Sequence, residues 1–359
     1  MISTLDRFRG CLLGGAVGDA LGGPIEFNSL DSIRRKHGAR VDLLDLPQAA
    51  FTDDTQMTLF TAEGLIRASV RGRAKGIDPD VPGIVHHAYL RWLYTQGVRW
   101  ERAGGSLTDG PDGPDGWLVT NKVLHRREAP GNTCLSALQS GRMGTATERL
   151  NNSKGCGGVM RVAPVGLFSD DPAMAFEVGC ELAAITHSHP SGYFSAGALA
   201  AMVSHLTAGA SMGDAVRAGR ALLDGRSGAE ETAEALDAAV LLAGRGIPEP
   251  EDLEKLGGGW VGEEALAIAV ACGLTAEDVE QALSAAVLHS GDSDSTGAIC
   301  GNLLGAYLGI DAIPEAWVSA LDGGGVVDAV ARDLHTEHFE PPSQAGEVTP
   351  EWRDRYPGW

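Results

Sequence analysis

Helical spacing of apolar residues runs through almost the whole chain, and no stretch alternates apolar with polar residues as a half-buried strand would. Leu5, Phe8, Leu12, Leu13 and Val17 keep that spacing after a Ser3-Thr4-Leu5-Asp6 capping arrangement. The period recurs over 84–96, 172–186, 192–206, 213–223, 229–244, 262–272 and 276–288. A chain of 359 residues that is 43% hydrophobic has ample material for a core. The expectation is all-α: a single-domain orthogonal multi-helix bundle over 1–332. A Pro-rich, polar tail, 333–359, carries Trp352, Tyr356 and Trp359 over its surface.

Glycine sharpens this. Gly10, Gly14, Gly15, Gly18 and Gly22 interrupt the first helical stretch, and Gly297, Gly301, Gly305 and Gly309 recur every four residues late in the chain. Inside a helix each costs about 1 kcal/mol relative to alanine, so both runs imply another backbone at close range. A dinucleotide fold is excluded, because no strand precedes these glycines and the order G-x-G-x-x-G is absent.

Two acid-rich helix starts carry the chemistry. Leu288-His289-Ser290-Gly291-Asp292-Ser293-Asp294-Ser295-Thr296-Gly297 places two carboxylates, with the hydroxyls of Ser293, Ser295 and Thr296 among and after them, at the start of the second glycine run. Phe51-Thr52-Asp53-Asp54-Thr55 does the same, with Thr52 as N-cap. Oxygen ligands so dense suit a hard divalent cation, Mg²⁺ or Mn²⁺. A calcium loop is excluded: counted from Asp292, its fifth and twelfth positions hold Thr296 and Leu303. Brought together, Asp53, Asp54, Asp292 and Asp294 would repel without cations among them, which implies a dinuclear site. Asp19 and Glu26 flank the end of the first helix. A lone acid is ordinarily solvated, but Glu26, on a turn after Gly22-Gly23-Pro24-Ile25, can reach a site.

Asn151-Asn152-Ser153-Lys154-Gly155-Cys156-Gly157-Gly158-Val159-Met160-Arg161 is a third stretch. It is either a tight turn or a diphosphate cradle using backbone N–H groups, Lys154 and Arg161. It is not a P-loop, since G-K-[ST] is missing. His187 and His189 lack the companions of a zinc site, so capping or packing against a ligand is the better reading. The irregular stretch Gly97–Thr133, centred on Asp109–Gly116, is too long to be a plain connection; loops of that length are functional or mobile.

A net charge of −20 excludes a general basic surface for nucleic acid. Six scattered Cys without C-x-x-C, no secretory h-region and no apolar run of membrane-spanning length lead to the expectation of a cytoplasmic protein with reduced thiols and no membrane partner. A monomer is favoured. Arg in excess of Lys, with abundant Ala and Gly, suggests a GC-rich bacterial genome.

The stretches Gly10–Gly22, Thr52-Asp53-Asp54-Thr55, Gly157-Gly158-Val159-Met160-Arg161, Thr186-His187 and Asp292–Gly297, in this order, resemble the ADP-ribosylglycohydrolase family. The resemblance implies an all-α fold, two Mg²⁺ (alternatively Mn²⁺), and hydrolysis of the bond joining ADP-ribose to a modified acceptor. Carried over by position, the metal ligands would be Thr52, Asp53, Asp54, Asp292, Asp294 and Ser295. Ser295 stands where many members have Thr and still offers a hydroxyl. Glu26 matches an acid beside the metals, and Glu26 or Asp53 would be the acid/base. Ser153, Gly155, Cys156, Gly157 and Gly158 match the diphosphate segment, and His187 a residue near the ribose. The implied partner is ADP-ribose or an ADP-ribosylated protein. A nucleotide phosphohydrolase and a non-catalytic ADP-ribose binder are the alternatives.

Overall fold

A computed structural model describes residues 2–104 and 113–358. Among these residues it is all-α, with eighteen α-helices, short 3-10 turns and one two-stranded hairpin, Ser343–Gln344 paired antiparallel with Glu347–Val348. That hairpin is the one departure from the strand-free expectation.

The two glycine runs meet each other. The first helix, Thr4–Gly22, packs antiparallel on the helix Ser293–Leu308. A Cβ on Gly10 would strike the Gly305 carbonyl, one on Gly14 the Gly301 carbonyl, and one on Gly18 the Gly297 carbonyl. Small residues on both faces therefore let the backbones touch. Both helices are buried almost all round, which explains their weak amphipathic pattern. Around them pack the helices Asp53–Lys75, Ala163–Leu167, Pro190–Thr207, Gly262–Leu274, Val279–Val287 and Gly324–Phe339. The buried apolar side chains form one continuous cluster.

The tail is more than a covering. A division at 332 falls inside the helix Gly324–Phe339, so the chain leaves the bundle only after that helix. Tyr356 is fully buried and donates to Asp333 Oδ2 at 2.6 Å, while Trp352 Nε1 donates to Glu337 Oε2 at 2.8 Å. Arg71 Nη1 donates to the Gly358 carbonyl, and Arg355 lies 3.6 Å from the centre of the Trp117 ring.

Candidate metal centre and ligand pocket

The antiparallel register of the glycine helices sets the site. At Gly22, where the first helix ends, a Cβ would collide with the backbone of Ser293 and Asp294. The turn after Gly22 thus delivers Glu26 to the N-terminus of the Ser293–Leu308 helix. Oxygens of Glu26, Asp292 and Asp294 lie within 4.8 Å of one another. Asp292 caps that helix by accepting from Ser295 N at 3.3 Å, and Asp294 Oδ1 accepts from the same N–H at 3.0 Å.

The second acid turn is braced from below. Asp19, read from sequence as an ordinary acid, is fully buried. Its carboxylate accepts from Thr52 N at 2.9 Å, Thr55 N at 3.0 Å and Thr55 Oγ1 at 2.6 Å. It fixes the Thr52–Thr55 turn as Thr52 caps the helix Asp53–Lys75 by accepting from Asp54 N. Sequence gave no sign of this, because the burial of one acid in a glycine-rich helix is a tertiary property.

Asp53, Asp54, Asp292, Asp294 and Glu26 share one wall of a pocket of about 290 Å³. Burial, then the Asp294 and Asp53 charges, pushes Glu26 up to about 9. Burial and Asp294 push Asp19 up to about 7 against its three donors. Asp53, Asp54 and Asp292 are raised well above the carboxylate range, chiefly by burial and then by acidic neighbours. Asp53 Oδ2 accepts from Gly131 N at 3.1 Å and Asp292 Oδ2 from Cys156 Sγ at 2.8 Å, but Asp54 Oδ1 is buried with no hydrogen-bond partner. Oxygen donors gathered without a protein cation, one of them unpartnered, fit a hard divalent cation.

The opposite wall is glycine-rich. Gly155, Cys156 and Gly157 line the pocket with His187. Ser153 and Gly158 do not: Ser153 Oγ bonds Thr133 Oγ1 and accepts from Gly155 N, and Gly158 packs on the Gly192 carbonyl. Thr52 is not among the lining residues, though its Oγ1 lies 3.5 Å from Asp54 Oδ2; Ser295 lines the pocket. Of the two readings of this stretch, the one in which Lys154 and Arg161 cradle a diphosphate is not met by the placement of either side chain. Lys154 Nζ is held by Glu231 at 2.9 Å and Glu263 at 2.6 Å, and Arg161 is wholly buried behind the glycine turn. No Lys or Arg lines the pocket among the described residues. His189 is a cap, its Nδ1 accepting from Ser191 N at 3.2 Å.

Three features escaped the sequence reading. Gly131, Asn132, Thr133 and Cys134 bring the end of the long irregular stretch into the pocket; its residues 105–112, including Asp109–Asp112, lie outside the described part. Gly131 precedes the helix Asn132–Gln139 without a side-chain cap, so the usual helix-start signal is missing. At the mouth, Phe27 (71% exposed) stacks on Trp260 (41% exposed), ring centres 5.2 Å apart. Trp260 belongs to a strap whose Gly258 carbonyl accepts from Asp292 N at 2.8 Å and whose own carbonyl accepts from Cys156 N at 3.2 Å. The strap ties the acid wall to the glycine wall. Its signal was the run Gly257-Gly258-Gly259.

No described helix is long and apolar enough to cross a membrane. The chain is 28% identical to ADP-ribosyl-[dinitrogen reductase] glycohydrolase of Rhodospirillum rubrum, over 89% of this chain and 92% of that protein. It is 25% identical to ADP-ribosylhydrolase ARH3 of Bos taurus, over 92% of this chain and 93% of the relative. A solved structure described as an ADP-ribosylglycohydrolase-related protein complex superposes with a TM-score of 0.63 at 25% identity, covering 94% of this chain and 99% of that one. The family model for ADP-ribosylglycohydrolase matches residues 1–343, and the chain belongs to that family of glycosyl-bond hydrolases.

Proposed function

We propose that this ADP-ribosyl hydrolase uses two divalent cations, Mg²⁺ or Mn²⁺, to cleave the ribosyl C1″ bond to a protein side chain, arginine foremost. One observation carries the reading. Two helix starts, ~240 residues apart in sequence, turn buried acids onto one pocket wall, and Asp54 Oδ1 there has no partner. Asp53, Asp54, Asp292 and Asp294, with the hydroxyls of Thr52 and Ser295, would hold the cations. Bound there, they would supply Lewis-acid polarisation of the ribose hydroxyls and of a water.

The protein's own groups do the rest. Glu26 stands half-buried at the acid wall and in the metal-free protein is raised to about 9, first of all by burial. A carboxyl that keeps its proton near neutrality can pass it to the departing acceptor nitrogen, then take one from the attacking water. Asp53, tethered to Gly131 N, is the more fixed of the two candidate acids. The Gly155–Gly157 turn would receive the diphosphate through backbone N–H groups, with no Lys or Arg on that wall among the described residues.

With Glu26 protonated, four carboxylates remain on the wall and two divalent cations would offset their charge, so a substrate panel, not the charge of the wall, decides between a guanidinium and a hydroxyl acceptor.

The test is release of free ADP-ribose from arginine- and serine-linked substrates, after chelation and after return of each metal. Cleavage of the arginine linkage, lost on chelation and restored by Mg²⁺ or Mn²⁺, is expected. Full activity in chelator would sink the metal reading, and release of phosphate instead would indicate a nucleotide phosphohydrolase.

A further inference from the structure

We propose that Arg161 and Thr186 are positioning residues that lock His187 in the tautomer carrying its proton on Nε2, so that the pocket meets a fixed N–H donor. The use of that donor, to hold an oxygen of ADP-ribose, rests on the function proposed above; the tautomer does not.

The argument starts at Arg161. It is wholly buried, and none of its partners is a carboxylate among the bonds described. Its Nη2 donates to the Leu182 carbonyl at 3.1 Å and to Thr186 Oγ1 at 2.7 Å, and its guanidinium lies 4.2 Å from the centre of the Tyr89 ring. A guanidinium can only donate. One lone pair of Thr186 Oγ1 is therefore taken, and the hydroxyl has its own proton to place. His187 Nδ1 lies 2.8 Å away. The bond runs from Thr186 O–H to Nδ1, so Nδ1 is the acceptor and bears no proton. The reverse arrangement would give Thr186 Oγ1 two donors and turn its proton toward the Cys134 thiol, a weak acceptor already met by Arg161 Nη1 at 3.6 Å.

The ring is also neutral. Burial, then the Arg161 charge, holds His187 down to about 3. A neutral ring with an unprotonated Nδ1 must carry its hydrogen on Nε2. That nitrogen faces the glycine turn: a Cβ on Gly155 would lie 3.4 Å from it, and one on Gly157 3.2 Å. Here is a physical reason for glycine at 157, where a methyl would crowd the donor and the ring carbon beside it. Arg161, one reading of which is as a phosphate ligand, thus acts one residue further back.

The tautomer can be read directly in the full-length protein labelled with ¹⁵N-histidine, with His187 assigned by its loss in His187→Gln. The Nε2–H pattern is expected at neutral pH; an Nδ1–H pattern would overturn the proposal without any variant. Thr186→Val removes the hydroxyl. Mixed tautomers are then expected, with ADP-ribose binding weakened roughly tenfold, and Thr186→Ser should restore both. An unchanged tautomer in Thr186→Val would also overturn the relay. If the wild type shows the expected tautomer but binds no ADP-ribose by calorimetry, the ligand assignment fails and the relay stands.

Discussion

One helix, Asp53–Lys75, carries two buried charge clusters of opposite design. At its N-terminus Asp53 and Asp54 share a pocket wall with Glu26, Asp292 and Asp294, with no Lys or Arg among the described lining residues. Two to three turns further on, Glu63 is equally buried, yet it accepts from Arg67 Nη2 at 3.0 Å and Arg91 Nε at 3.0 Å, and Arg67 Nη1 reaches Asp115 Oδ1 at 2.7 Å. In charge the second cluster closes on itself, two guanidiniums against two carboxylates. The first is complete only with charge brought from outside, and that separates a cluster that holds the fold from one that binds.

Substitution should split the two most sharply. In Asp54→Asn and Asp292→Asn, turnover should fall about a hundredfold or more, the scale of losing a fixed charge at a reacting centre. The metal-free protein should melt no lower than the wild type, because one repulsive carboxylate has gone. Near-normal turnover in both would erase the distinction. Glu63→Gln should do the reverse. It leaves two buried guanidiniums short of a counter-charge and should cost about 3–5 kcal/mol in chemical denaturation, while activity per folded molecule stays near normal. A stable but inactive Glu63→Gln protein would mean that the paired cluster also serves the reaction.

Cation addition is the next test. A divalent ion at about a hundred times its Kd should stabilise the wild type by about 2.7 kcal/mol. Asp54→Asn should lose most of that gain, and Glu63→Gln should keep it. Acidity gives a related signature. Asp19 and Glu26 are raised to about 7 and about 9 in the fold, so the folded state holds protons that the unfolded chain gives up near pH 4. Their contribution is fully present below about pH 4 and is lost as pH rises through 7 and 9. Metal-free protein should therefore lose stability between about pH 5 and 9, and saturating Mg²⁺ should flatten the slope. The same slope with and without cation would count against a shared acid site. The smallest effect belongs to Lys154, paired with Glu231 and Glu263 outside the pocket. Lys154→Met should cost about 1 kcal/mol or less and leave ADP-ribose affinity unchanged. A clear loss of affinity would return Lys154 to the diphosphate.

The paired acids were visible in the sequence because local chemistry advertised them: cap, acids and helix pattern lie within five residues at Thr52–Gln56. The glycine spacing announced close backbones for the same reason, though not that the two runs pair. What was missed depends on neighbours distant in sequence. Asp19 looks like any lone acid until the Thr52–Thr55 turn lands on it. Proximity to glycines allows Lys154 and Arg161 a phosphate contact, but charge alone does not say which side of a turn a long side chain takes. Arg161 has Tyr89 and Thr186 behind the wall, and Lys154 has two glutamates. The Phe27–Trp260 pair joins residues more than 230 positions apart, which no periodicity reports.

The antiparallel glycine pairing also sets a timetable. Gly22 and Ser293 abut, yet at 5–20 residues per second the ribosome needs roughly 15–55 s to make the stretch between them. Through that interval the first helix, buried on nearly every face in the finished protein, has no partner for its glycine face. Fragments ending before the late helix should emerge sticky and inert, a demand on chaperones rather than a half-working enzyme. Closing the seam at Gly305, Gly301 and Gly297 would complete the core and the acid wall in the same event.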